Sequence, residues 1–581
     1  MSYLNLPRLT FAGLFQADPS TVNNDPTHYN NETFEPSFQD YQSGENLNGW
    51  WNPDGTGNWR LVGCKITKVS YSDGTEETDP TKDPVIGLSI TDTENKTAAK
   101  IVDLDSQQQM VSMIWGLIVR ITDGKKNLIN GSYKPAAFTN IWFTRSPDLS
   151  HDAAAAAIYQ SVIEDLCWDI DSFGSRYLNE LKAASPEKLS IQFTLDRFNG
   201  DFTAADFTLG RIAGSIGPSY ESEPDHFVIG RQLFPQAGSN CNYATALLDE
   251  SQKTLILDLG NAFQFILNKE SKKIVIADPT RNIVAAVDQG SSGNPDYYYL
   301  GKIEYTDLDW YASSAGVCTI SLDDEGISLV KQFPLVLIDY KETQENTFTS
   351  FMTGSVLLQE FENYVCADQF VFQLNPGESC DVNLYATHLG NLIPDKTIEL
   401  QLNNSFFGPT PPPVGVPKSI LSFPPSIKTD SSGKATFTIK AGDPGNPREY
   451  IDGQVYGLAY SLSEDYFTNC NQSNFISLLV YDSVPQDKID DPTWKDLLPT
   501  MQQYANLYPL MSKGIFNLAD KNVVDQNAQI LKLVFGKEKT DPNYMPATRD
   551  LSRDKLKMIL NYLNKVIAAS DPKDSITFKK I

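Results

Sequence analysis

The clearest signal along the chain is a change of hydrophobic period. Between about residues 240 and 408, apolar positions fall in short β-branched and aromatic runs: Thr254–Leu259, Lys273–Ala277, Tyr297–Tyr305, Val317–Leu322, Leu335–Tyr340, Phe370–Leu374, Val382–Thr387 and Thr397–Leu402. Turn clusters such as Gln289-Gly-Ser-Ser-Gly-Asn-Pro separate them, the spacing of a sandwich or barrel. Beyond Pro492 the period becomes helical. Leu497, Met501, Tyr504, Tyr508 and Met511 form one stripe, and Leu556, Ile559, Leu560, Leu563, Val566 and Ile567 another. Nearer the amino terminus, Met113–Thr122 and Leu189–Leu195 predict strands. Between them Ile158, Val162, Ile163, Leu166 and Ile170 recur at helical spacing behind an alanine run, which predicts one or two helices over His151–Ala184.

Proline sharpens the division. Seven prolines fall between Gly408 and Ser426, and such a run is extended and suits a linker. After it, Thr429-Asp-Ser-Ser-Gly-Lys marks a hairpin turn ahead of strands Ala435–Lys440, Val455–Leu462 and Phe475–Tyr481. The predicted class is α+β, mostly β, with antiparallel sheets or sandwiches in several domains. These are a mixed α/β domain (1–235), a β-rich domain (236–408), a proline-rich linker (409–426), an Ig-like β module (427–482) and a helical carboxy-terminal segment (483–581).

Composition narrows the function. Forty-seven basic against 73 acidic residues give a net charge of −26, so neither a nucleic-acid backbone nor an anionic membrane surface is an expected partner. No window approaches the roughly 20 apolar residues of a membrane span and no signal-peptide pattern opens the chain, which predicts a cytoplasmic protein. Seven cysteines without a C-x-x-C pair fit neither a zinc ribbon nor a disulfide framework.

Four histidines, His28, His151, His226 and His388, limit the chemistry. Glu223-Pro-Asp-His226 has the spacing of a di-iron helix motif, but Pro224 argues against a helix and no second such motif exists. Ala213-Gly-Ser215-Ile-Gly217 approximates a nucleophile elbow without a helix to follow it. Asp103/Asp105, Asp169/Asp171 and Asp323/Asp324/Glu325 lack calcium-loop spacing and read as solvated turns. Trp50, Trp51 and Trp59, set among Asn, Gly and Asp, could stack on a sugar or flat aromatic ligand; the plainer reading is that they plug the edge of a core.

Several stretches together resemble one family. Leu6-Pro-Arg-Leu-Thr-Phe-Ala-Gly-Leu-Phe-Gln-Ala-Asp-Pro19, Asn58-Trp-Arg-Leu61, Ala99-Lys-Ile-Val-Asp-Leu-Asp105 and Phe227-Val-Ile-Gly-Arg-Gln-Leu-Phe-Pro235 occur in that order. They are followed by Tyr504-Ala-Asn-Leu-Tyr-Pro-Leu-Met-Ser-Lys-Gly-Ile-Phe-Asn-Leu-Ala-Asp520 and Asn543-Tyr-Met-Pro-Ala-Thr-Arg-Asp-Leu-Ser552. They resemble the amino-terminal, non-ferritin half of the violacein-pathway iminophenylpyruvate dimer synthase and chromopyrrolate synthase family. In that family oxidative coupling depends on a ferritin-like region placed after the equivalent of Asp550–Ala569, and no catalytic residue carries over by position. The resemblance implies a non-catalytic scaffold or accessory protein, with no cofactor and no metal, that docks a separate ferritin-like enzyme or associates with itself. Tyr504, Tyr508, Met511, Phe516, Tyr544 and Met545 are its expected interface, unless they simply pack onto residues 427–482. The alternatives are an oxidative imine-coupling enzyme of indole-pigment biosynthesis and a carbohydrate- or aromatic-ligand-binding protein. The scaffold reading predicts a colourless protein without stoichiometric iron; a Soret band lost on replacing His226 or His388 would overturn it.

Overall fold

The computed structural model describes residues 1–18, 25–39, 57–92, 97–201, 203–290, 295–307, 309–340, 354–405, 407, 412–462, 475–507 and 516–570. The molecule is mostly β, its strands paired antiparallel except for Val371–Leu374 beside Phe475–Val480, which run parallel, with helices gathered at the carboxy-terminal end.

Strand Arg8–Asp18 pairs on one side with Leu209–Pro218 and on the other with Asn58–Ser70. From Leu209–Pro218 the pairing continues through Leu189–Asp196, Ala156–Trp168, Asn127–Tyr133, Ile118–Thr122 and Ser89–Thr91, and returns to Asn58–Ser70. Eight strands therefore close into a ring, which satisfies both edges of the sheet. Phe11, Phe15, Trp59, Ile66 and Phe193 belong to its buried core. The strands 8–18 and 58–70 meet through an irregular register between Ala12 and Leu14, and an added Cβ on Gly13 would lie 2.5 Å from Cys64 Cα. Only glycine permits that approach.

The helices expected over His151–Ala184 are corrected here. A short 3-10 turn (His151–Ala154) leads into strand Ala156–Trp168, and only Arg176–Ala184 is helical, capped by the Ser175 hydroxyl accepting from Leu178 N at 3.1 Å. The strand pairs on both sides and buries Ile158, Tyr159, Val162 and Ile163 on both faces. Burial on both faces removes the strict alternation that marks a strand, and the remaining apolar positions then mimic a helical spacing.

A second eight-stranded sheet runs in the order Tyr297–Lys302, Ile283–Asp288, Leu335–Asp339, Ser355–Glu360, Arg231–Pro235, Ala244–Asp249, Thr254–Asp258 and Val317–Ser321. It curls until its end strands meet, for a Cβ on Gly301 would sit 2.5 Å from Ile320 Cγ2. Two helices of five and seven residues, Trp310–Ser314 and Asp324–Val330, lie within this unit, so the β-rich expectation holds across its described residues.

The two barrel-like units meet at a buried ionic stack. The Arg211 guanidinium forks onto Asp196, and Arg145 Nε lies 3.6 Å from the same carboxylate. Arg145 also donates to Gly260 O at 2.7 Å and lies 4.6 Å from the centre of the Phe265 ring; Arg211 lies 4.4 Å from that ring and 4.3 Å from Tyr311. Burial pushes Asp196 up, but Arg211 and Arg145 outweigh it and hold the carboxyl below its usual range. Burial lowers Arg145 to about 10.

The described residues between 363 and 480 form a sandwich. One sheet holds Asn363–Ala367, Ser379–His388, Lys434–Ala441 and Leu421–Ser422; the other holds Val371–Leu374, Phe475–Val480, Gln454–Ser461, Thr397–Leu402 and Ser426–Lys428. The module expected at 427–482 thus begins far earlier, and the boundary expected at 408 falls inside one core that unites Val382, Leu400, Phe437 and Ile476. The proline run is no free linker over its described residues: Gln454 Nε2 donates to Pro413 O and Val416 O at 2.9 and 3.0 Å, and Tyr456 Oη to Pro417 O at 3.0 Å. Prolines lack a donor but keep a carbonyl, so side chains rather than a β-ladder bind the run.

Helices Gln486–Asp490, Trp494–Leu507, Lys521–Gln526, Ala528–Phe535 and Arg553–Ser570 close the described chain around Leu497, Met501, Leu531, Phe535, Ile559 and Leu563. Among the described residues no helix is long and apolar enough to cross a membrane.

Asp196→Ala should lower the unfolding free energy by about 3–5 kcal/mol, because it strands two buried guanidinium groups. Denaturant titration tests this, and a loss below about 1 kcal/mol, the size of a surface pair, would contradict it.

Candidate functional site

Strand Ala99–Asp105 leaves the first barrel and pairs with Gln108–Trp115 as a projecting hairpin. Leu104 and Val111 pack on Val455, Leu479 and Tyr481 of the sandwich, and Gln108 Nε2 donates to Ser477 Oγ at 3.0 Å. Where hairpin, sandwich and helical segment converge, a cavity of about 50 Å³ is lined by Asp103, Asp105, Ser106, Asp452, Tyr504, Asp550 and Lys555, among others.

Arg448 holds one wall. Its Nη1 and Nη2 donate to Asp105 Oδ1 and Oδ2 at 2.7 and 2.9 Å, its Nε to Gly453 O at 2.7 Å, and its remaining donors to Asp452 O and Gln107 Oε1 at 2.9 and 3.1 Å. The five bonds use every guanidinium donor, which makes a fully buried cation tolerable. Lys555 Nζ lies 3.1 Å from Asp452 Oδ2. Asp550 accepts from the Tyr504 hydroxyl at 3.0 Å and from the Thr548 hydroxyl at 2.6 Å. Burial pushes the Asp550 carboxyl up against those two hydrogen bonds. Asp103, which accepts from the Ser112 hydroxyl, is raised to about 7, chiefly by burial.

This arrangement can hold and exchange protons. Among the described residues no group of three or more His, Cys, Asp or Glu side chains has the geometry of a metal site.

No protein-family model and no curated protein matches the chain. Among solved structures it is similar to the D0-D1 domain of Intimin (11% identity, 40% of this chain and 90% of that one, TM-score 0.14) and to the D00-D0 domain of Intimin (10%, 37% and 91%, 0.15). It is also similar to the teleost fish polymeric Ig receptor ectodomain (9%, 40% and 92%, 0.16). Scores this low carry no argument about fold or function.

The residues singled out from sequence scatter. Tyr504 lines the cavity, and Tyr544 is buried, interacting electrostatically with Asp550. Met545 packs against the helical core and Phe516 is half-buried. Trp59 is a correction: it is 0% exposed in the first barrel, its ring centroid 5.6 Å from Phe193, and offers no ligand platform. Trp50, Trp51, Tyr508 and Met511 lie outside the described residues.

Ser215 sits mid-strand, fully buried, with neighbours on both sides, so the elbow is absent. Glu223 accepts from Ser2 Oγ and Tyr220 N, whereas His226 Nδ1 lies 3.1 Å from Asp368 Oδ1; the two side chains serve separate contacts in a non-helical segment. Asp323 caps a helix and Asp169 pairs with Lys126 at 2.9 Å. Asp550 and Arg448 were missed. Asp103 and Asp105 were noticed only as turn carboxylates, and the alternation of Val102, Leu104 and the two aspartates was the signal that could have placed them on a strand.

Arg448→Met should destabilise the fold by about 3–5 kcal/mol, since it leaves the Asp105 carboxylate buried and unpaired. Arg448→Lys should recover less than half of that, because one ammonium cannot reproduce the fork; full recovery in denaturant titrations would refute the assigned role.

Proposed function

We propose that the protein is a scaffold or accessory protein, of the kind its resemblance to the non-ferritin half of an iminophenylpyruvate dimer synthase implies, acting in the cytoplasm by association and not by catalysis of its own. Several side chains with catalytic potential support this, being engaged in internal pairs: His226 with Asp368, Glu223 with Ser2, Asp105 with Arg448. The observation that carries it is helix Ala528–Phe535. Leu531 and Phe535 fill the helical core, while Ile530 and Leu533 stand 49% and 64% exposed, three residues apart on the outer side. Spending two large aliphatic side chains on solvent in so acidic a protein fits a face that another surface covers. Of the two partners the resemblance implies, a ferritin-like enzyme or a second copy of this chain, we propose the second copy for this face.

Light scattering on the purified protein tests the reading. The wild type should have a mass that is a multiple of 64.6 kDa, and Ile530→Asp with Leu533→Asp should return it to that value with an unchanged circular dichroism spectrum. A wild type that stays monomeric at high concentration, or a double variant with unaltered mass, would refute self-association through this helix.

A further inference from the structure

The cavity at the meeting of hairpin, sandwich and helical segment holds more acid than its cations neutralise. Asp105 is matched by Arg448 and Asp452 by Lys555, but among the described residues neither Asp103 nor Asp550 takes part in an ion pair. The remaining charges do not make up the difference. Asp103 interacts electrostatically with Asp105 on its own strand, with Asp152 on the turn before strand Ala156–Trp168 and with the buried Tyr159 on that strand. Asp550 is flanked by Asp105 from the hairpin and by the Tyr504, Tyr481 and Tyr544 hydroxyls, with Lys539 as a more distant cation that is itself lowered to about 8 by burial. One further group points to an unfilled requirement: Ser106, 6% exposed, lines the cavity with its hydroxyl unpartnered.

Carboxylates drawn from three separate units into one partly buried space repel one another across the seam unless a proton is kept. We propose that this seam is a proton-controlled joint: Asp103 and Asp550 hold protons while the helical segment is docked, and their ionisation loosens helices Trp494–Leu507 and Arg553–Ser570 from the hairpin and the sandwich. The ligand of the cavity is the proton.

The sign follows from linkage. A carboxyl whose proton affinity is raised by folding adds stability that is complete below its unfolded value and is lost as pH climbs through its folded value. For Asp103 that window runs from 3.8 to about 7, and Asp550 shifts in the same direction. The joint is therefore tight on the acid side of neutrality and weak on the alkaline side, opposite to ordinary acid denaturation.

Amide hydrogen exchange resolved by peptide, at pH 6 and pH 8.5 and corrected for the chemical exchange rate, tests this on the full chain. Peptides from 494–507 and 553–570 should exchange about tenfold faster at pH 8.5, the size of one unit of linked titration, while peptides from the first barrel stay unchanged. Asp103→Asn with Asp550→Asn, which keeps both acceptors, should abolish the difference. Equal protection at the two pH values, or a double variant that keeps the wild-type dependence, would overturn the proposal. Should the double variant fail to fold, infrared difference spectra of the wild type decide: a protonated-carboxyl band present at pH 6 and gone at pH 8.5 supports the joint, and its absence at pH 6 refutes it.

Discussion

Strand Arg8–Asp18 has to satisfy two neighbours at once, and much of the molecule depends on that constraint. Its pairing with Leu209–Pro218 and with Asn58–Ser70 turns an open sheet into a closed ring. One face, with Phe11 and Phe15, fills the barrel, while Ala12 and its neighbour Ala213 reach the core of the second unit. Without closure the sheet would present two long unpaired edges, and the second unit would lose the floor on which it packs.

The units are then joined by buried ions as well as apolar area. Arg145 and Arg211 share Asp196 between the barrel-like units, and Arg448 forks onto Asp105 between hairpin and sandwich, whereas Arg231 forks onto Glu360 between two neighbouring strands inside the second sheet. Such pairs add little net stability over a well-packed apolar contact, but a shifted alternative would leave a charge unpaired at several kcal/mol. They fix how one unit sits on the next. Aliphatic surface alone would tolerate sliding; a bidentate guanidinium does not.

The cavity lined by Asp103, Asp452 and Asp550 is the exception to this pattern, because charge is balanced there only if protons are retained. It lies where three units meet, and its titratable groups come from different parts of the chain. A local change of protonation therefore bears on the relation between units and leaves their internal cores alone. The helical segment combines this tunable attachment on its inner side with Ile530 and Leu533 on its outer side.

The sequence by itself determined the kind of element over most of the stretch from 240 to 480 and in the carboxy-terminal segment, but over residues 1–235 it named few of the strands. Runs such as Leu335–Tyr340 and Thr397–Leu402 are strands, and Leu556 to Ile567 is a helix, because each buries a face whose period appears in the order of its residues. It failed at Ala156–Trp168, where burial on both faces erased the alternation, and at the proline run, where side chains from Gln454 and Tyr456 supplied partners that no local pattern records. For Trp59 the sequence left a stacking platform open beside the plainer core reading, and closure of the barrel decided for the core. Ring closure, the placement of Arg448 opposite Asp105 some 340 positions away, and the gathering of Asp103, Asp452 and Asp550 were decided only by tertiary structure. Periodicity reports which face of an element is apolar. It carries no record of which distant carboxylate will face it, and that pairing is where the chemistry of this protein resides.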